Sequence, residues 1–159
     1  MKTSIKKGLG FGLASGVITT LGLMVGLSSS TQSVIAVIGG VVIIALADGM
    51  SDALGIHISE EAENIHSGRE IWESTLATLF SKVIVALSFV VPVLIFPLTA
   101  AIIVSIGWGL LLIAAFSYYT ARQDQHTSSP KVIVEHLAIA GLVIVASHYV
   151  GELVYYFTH

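Results

Sequence analysis

Apolar residues fall along this chain in five long runs, near residues 8–27, 34–55, 76–96, 98–118 and 132–157, parted by short polar stretches. Each run is about 20 residues or longer, and at about 1.5 Å per residue that crosses a hydrocarbon core of about 30 Å. No stretch alternates apolar and polar residues as a membrane β-strand does. The pattern predicts an all-α integral membrane protein with five transmembrane helices. The connections "SSSTQS" and "FPLT" are short, so helices one and two form a hairpin, as do three and four. Pro97 suits the first turn of helix four, and Pro92 is placed to kink the end of helix three. "QDQHTSSPK" reads as a polar turn. Residues 1–159 read as a single five-helix membrane domain, with 57–73 a short acidic segment between helices two and three. The basic start followed by an apolar stretch has some features of a signal peptide, but the run is long for one and the rest is multispanning.

Composition sharpens the class. Only 11% of residues are charged, against about 25% in a soluble domain, and the mean hydropathy is +0.91. There is no cysteine, which excludes disulfides, thiolate metal sites and cysteine nucleophiles. A formal net charge of -3 offers no case for nucleic acid; the surrounding partner is membrane lipid. The seven bases set the orientation. Lys2, Lys6 and Lys7 precede helix one, and Arg69 lies between helices two and three. Lys82 reads as just inside helix three, and Arg122 and Lys131 lie between helices four and five. All fall on one side, which the positive-inside rule makes cytoplasmic. The N-terminus is then cytoplasmic, the C-terminus extracytoplasmic and the acidic segment cytoplasmic.

The chemistry concentrates in "LADGMSDALGIHISEEAENIH". Asp48 and Asp52 are four residues apart and share a helix face, with Met50 on a different side. An aspartate near a helix centre costs about 2.5–3.5 kcal/mol on insertion scales, so the pair is expected to face an ion, a partner or a cavity. The plainer alternative is that both reach cytoplasmic water. Downstream, His57, Glu60 and Glu61 stand at helical spacings, as do Glu63 and His66. Carboxylates suit hard divalent cations and imidazole extends the range to transition metals. The group reads as a cytoplasmic loading site or as an ordinary solvated helix face.

Two further features stand out. Gly8, Gly12 and Gly16 recur every four residues in helix one, and Gly22 and Gly26 repeat that spacing. Such a stripe lets another helix approach closely, either within the chain or from a second copy in a dimer. Ser15, Thr19 and Thr20 add hydroxyls that line a polar path or bond back to their own helix. In helix five, Lys131 can pair with Glu135 beside His136, and His148 with Glu152. Glu135, His148 and Glu152 make a possible second polar site, for metal, protons or a hydrogen bond between helices. No "HExxH" and no Walker phosphate loop occur, and no nucleophile signature points to an enzyme.

"SGVITTLGLMVGL" followed by the small-residue, Met-containing end of helix two running into "SEEAE" resembles the first hairpin of the vacuolar iron transporter family. The resemblance covers residues 8–63 well and helices three to five more loosely. It implies a short prokaryotic-type member in the plasma membrane: a homodimer that exports ferrous iron or manganese from the cytosol in exchange for protons, with the path between subunits. Met50 falls where the family has a pore methionine. The family's acid in helix one, just before a glycine, is here Ser15 before Gly16; an acid nearer the start of that helix is replaced by about Gly8. Asp48 and Asp52 are then expected to supply the missing carboxylates from the neighbouring helix. The expected metal ligands are Asp48, Met50 and Asp52 in the membrane, with His57, Glu60, Glu61 and Glu63 loading them. A membrane scaffold or assembly subunit that transports nothing is the alternative.

Overall fold

The computed structural model describes residues 3–122 and 129–158, and its regular structure is helical throughout. The helices are α1 (Thr3–Thr31), α2 (Val34–Glu63), α3 (Gly68–Ser88), α4 (Val90–Ile95), α5 (Leu98–Ala121) and α6 (Ser129–Thr158). Taken together, α3 and α4 make one span, Gly68–Ile95, so among the described residues five spans are long and apolar enough to cross a membrane. Met1, Lys2, His159 and residues 123–128 of the "QDQHTSSPK" turn lie outside the described residues.

The helices are longer than their apolar runs because capping chemistry, not hydropathy, sets their ends. "SSSTQS" is mostly the last turn of α1. Gln32 adopts a left-handed conformation (φ 50°), and its N–H bonds the Ser28 carbonyl to close the helix. Ser33 then starts α2 by accepting the Ala36 N–H at 3.3 Å. At the other end of α2, Asn64 takes φ 52° and reverses the chain. The residues read as an acidic connecting segment, 57–73, are thus nearly all helical: 57–63 end α2 and 68–73 begin α3. Ser67 and Glu70 explain the early start of α3. The Glu70 carboxylate accepts the Ser67 N–H at 3.0 Å and its hydroxyl at 2.7 Å.

Pro92 acts as its ring demands. It has no N–H for the Ser88 carbonyl, and its ring crowds that carbonyl, so α3 stops at Ser88. The Phe89 N–H tightens onto Ala86 O at 3.1 Å before α4 resumes. Pro97 is the N-cap of α5, one position before its first turn.

The chain, read from sequence as a single domain, divides into two compact units. The first comprises Met1–Thr20 and Val41–Phe89; the second comprises Leu21–Gly40 and Val90–His159. In the first, the apolar core includes Val17, Val41, Ala45, Ile56 and Phe89. In the second it includes Leu21, Met24, Val37, Ala101 and Ile113.

The glycine stripe of α1 is consumed inside the chain. Gly8, Gly12 and Gly16 face Ser74, Thr78 and Lys82 of α3, matching two four-residue ladders. A Cβ on Gly8 or Gly12 would fall on a backbone carbonyl of α3, and one on Gly16 would sit 3.3 Å from Lys82 Cα. Close approach of α1 to α3 needs glycine at these positions. The stripe is thus taken up by an intramolecular α1–α3 contact, one of the two readings its spacing allowed. In the second unit, Gly22 and Gly26 similarly meet Ser147 of α6.

Candidate functional site

Within the first unit, a charged cluster lies deep in the spans. Asp48 is about 21 Å along α2 from Val34, and Lys82 is about 21 Å along α3 from Gly68, at about 1.5 Å per residue. Lys82 is 1% exposed. Its ammonium pairs with the Asp52 carboxylate, sits 2.5 Å from Asp48 Oδ2, and donates to Ser15 Oγ at 2.8 Å. The Ser15 hydroxyl in turn donates a hydrogen bond to Asp52 Oδ2 at 2.6 Å. Three helices thus contribute: the hydroxyl from α1, two carboxylates from α2 and the ammonium from α3.

The two aspartates are held differently. Asp52 accepts directed hydrogen bonds from Ser15 and Lys82. Asp48 Oδ2 is close to the ammonium but at an angle that makes no hydrogen bond, so charge alone holds it. Asp48 is also the more open, 32% against 19%. With all three groups ionised, the cluster carries one net negative charge. Lys82 is therefore not the shallow cytoplasmic base read from the sequence. The helix around it begins eight residues earlier than the apolar run.

A second cluster sits at the C-terminal end of α2. Glu60 is fully buried and faces Lys7 at 2.8 Å and the His66 ring, while Glu63 meets Lys7 at 2.9 Å. Both Glu60 oxygens are in ion-pair range of a base but outside hydrogen-bond geometry. Glu60, Glu63 and His66 each bring one ligand atom within 4.8 Å of the others, close enough to share a metal ion. Here the reversal at Asn64 matters, because it folds His66 back beside Glu60.

The expected loading set therefore splits. Glu60 and Glu63 converge, joined by His66 and Lys7. His57 and Glu61 do not join them. His57 Nδ1 lies 2.9 Å from Thr75 Oγ1. Because that hydroxyl donates to the Ile71 carbonyl, the imidazole is the donor. The ring also packs edge-on against Trp72. Glu61 is exposed and reaches His57 only at 3.6 Å. Met50, 65% exposed, points away from the aspartates, as its position two residues from each dictates. Between the two clusters on the same face of α2 lies Ile56, which is buried.

In the second unit the grouping of Glu135, His148 and Glu152 does not form one site. Glu135 is about 20 Å from His148 along α6 and pairs loosely with Lys131 at 3.8 Å. His148 contacts Ser29 at 2.8 Å and Glu152 at 3.4 Å. His136 instead pairs with Ser117 of α5 at 2.7 Å. The His148–Ser29 and His136–Ser117 contacts join neighbouring helices, the structural alternative weighed for these residues, whereas Lys131–Glu135 and His148–Glu152 pair within α6.

Sequence reasoning missed Lys82 as a member of this cluster. The signal for Lys82 was present: "SGRE" at residues 67–70 is a capping box, and a helix started there carries Lys82 three to four turns inward. Ser15 was marked in the sequence, as a hydroxyl on a polar path and at the position of the resembled family's helix-one acid. No family model matches the chain, and no curated protein matches it either.

Proposed function

We propose that this chain is a membrane transporter that moves a divalent cation, ferrous iron or manganese, out of the cytosol in exchange for inward-moving protons. The observation that carries the reading is the cluster of Asp48, Asp52, Lys82 and Ser15 at mid-span. Ionic groups at that depth are costly, and they mark ion pathways when they persist. Two carboxylates and a hydroxyl are oxygen donors of the kind that hard divalent ions take. Glu60, Glu63 and His66 supply a gathering point at one end of the same helix face, with Ile56 separating it from the aspartates. In this reading that end is cytoplasmic, as Lys6, Lys7 and Arg69 near it favour. The resemblance of residues 8–63 to vacuolar iron transporters adds support, as does Asp52 standing beside Ser15 where the family's acid would reach. The open side of Asp48 suits a path shared with a second copy in a homodimer, through a face other than the glycine stripe. The membrane would be the plasma membrane of a prokaryotic cell. The reading assigns the chain no chemical reaction.

One observation favours a second reading. Lys82 already neutralises charge within the chain, as the ion bridge of a membrane scaffold that transports nothing would. Flux separates the two. Purified protein in proteoliposomes is offered a panel of divalent metals with a pH dye inside. A transporter moves iron or manganese against protons; a scaffold moves neither.

A further inference from the structure

We infer that Lys82 is a tethered competitor for the transported ion: its ammonium occupies the place between Asp48, Asp52 and Ser15 that a divalent cation takes. The inference rests on the transport reading and names what sets the selectivity of that site. Three oxygens surround the ammonium, two of them on carboxylates, which is the donor set of a hard-cation site already holding a cation. A bridge that served only to tie α2 to α3 would be complete with one carboxylate. Here a second one leaves a net negative charge, and it is the one held without a directed hydrogen bond and one-third open.

The occupant can leave without disturbing the helices. Lys82 Cα is packed against Gly16, so its backbone stays where it is. Its flexible four-carbon stem carries three rotatable donors and can swing aside. Charge then selects the replacement. A monovalent ion taking the ammonium's place leaves the cluster as negative as before, and it competes with a group whose tether keeps it at high local concentration. A divalent ion neutralises both aspartates. Lys82 thus discriminates against sodium and potassium while sparing the membrane a bare pair of anions between cycles.

The test compares wild type, Lys82→Met and Lys82→Arg, each as the full chain in nanodiscs, by Mn2+ titration read by electron paramagnetic resonance. Lys82→Met should bind Mn2+ with an apparent Kd lowered about tenfold or more, and excess Na+ should weaken that binding only in this variant. Lys82→Arg, which keeps a cation in place, should stay close to wild type. Mn2+ binding by Lys82→Met no tighter than wild type, or absent from both, overturns the inference. If Lys82→Met folds only when purified with Mn2+, the metal has replaced the ammonium and the inference stands. If it fails even then, the ammonium is irreplaceable and the inference falls, whether or not Asp48→Asn/Lys82→Met folds. Absence of metal flux in wild type sinks the transport reading instead, since equilibrium binding is read separately from flux.

Discussion

Neutralising the two aspartates one at a time and together tests how the mid-span cluster is held. Asp48→Asn leaves Lys82 paired one to one with Asp52, still bridged by Ser15, and removes the net charge. It loses no directed hydrogen bond, because Asp48 Oδ2 makes none. Its cost should be within about 1 kcal/mol, in the range where exposed or partly exposed pairs fall. Asp52→Asn removes the charge to which the Ser15 and Lys82 hydrogen bonds run and leaves a neutral amide oxygen as the acceptor. Bonds to charged groups are worth about 1.5–3 kcal/mol, and Asp48 keeps the ammonium partly balanced. The double variant leaves the Lys82 ammonium, 1% exposed, with neutral amide and hydroxyl oxygens and no counter-charge. Stranding a buried charge costs about 3–5 kcal/mol. At the middle of these ranges the double variant loses about 1 kcal/mol more than the two singles combined, as residues sharing one partner do. Unfolding by sodium dodecyl sulfate in mixed micelles, followed by circular dichroism, gives the four stabilities. Additivity within about 0.5 kcal/mol would refute the claim that Lys82 is shared, as would a loss on Asp48→Asn equal to that on Asp52→Asn.

Three other outcomes follow from the same geometry. Gly12→Leu should destabilise the monomer by at least the 1–3 kcal/mol or so of an overpacked core, because its Cβ meets the Thr78 carbonyl of α3; the same unfolding assay checks it, and an unchanged monomer with a broken dimer would restore the stripe as a subunit interface. Glu60→Gln should raise the metal concentration needed for half-maximal flux while leaving the saturated rate near wild type, if Glu60, Glu63 and His66 gather the ion; a loss of maximal rate alone would contradict that. Side-specific labelling should place a tag at Met1 in the cytoplasm and one at His159 outside, and labelling of both from one side would refute the five-span topology.

The membrane class and the five spans were legible because hydropathy over about 20 residues is a strong signal. Helix ends were less so. α2 runs to Glu63 because its acidic last turns pair with α1 and His66, and α3 begins at Gly68 because of a capping box; neither shows in hydropathy. That error carried Lys82 into the wrong environment and hid the main electrostatic fact of the site. The Asp48–Asp52 face was readable from four-residue spacing. Lys82 opposite it was not, since only the packing of the α1 glycines on α3 brings the ammonium there. Glu135, His148 and Glu152 looked like one polar group, but about 20 Å of helix separates the first from the others. Met50 lay within the motif that suggested the family, yet helical phase turns it away from the aspartates.

The central claim is that the mid-span carboxylates carry the cation. Its most direct test is paired recording of Mn2+ movement and internal pH in proteoliposomes of wild type and Asp48→Asn, the variant expected to keep its stability. Wild type should move Mn2+ with protons travelling the opposite way, and Asp48→Asn, folded and correctly inserted, should lose most of both signals. Mn2+ flux by Asp48→Asn at the wild-type rate, with its proton signal intact, would contradict the account.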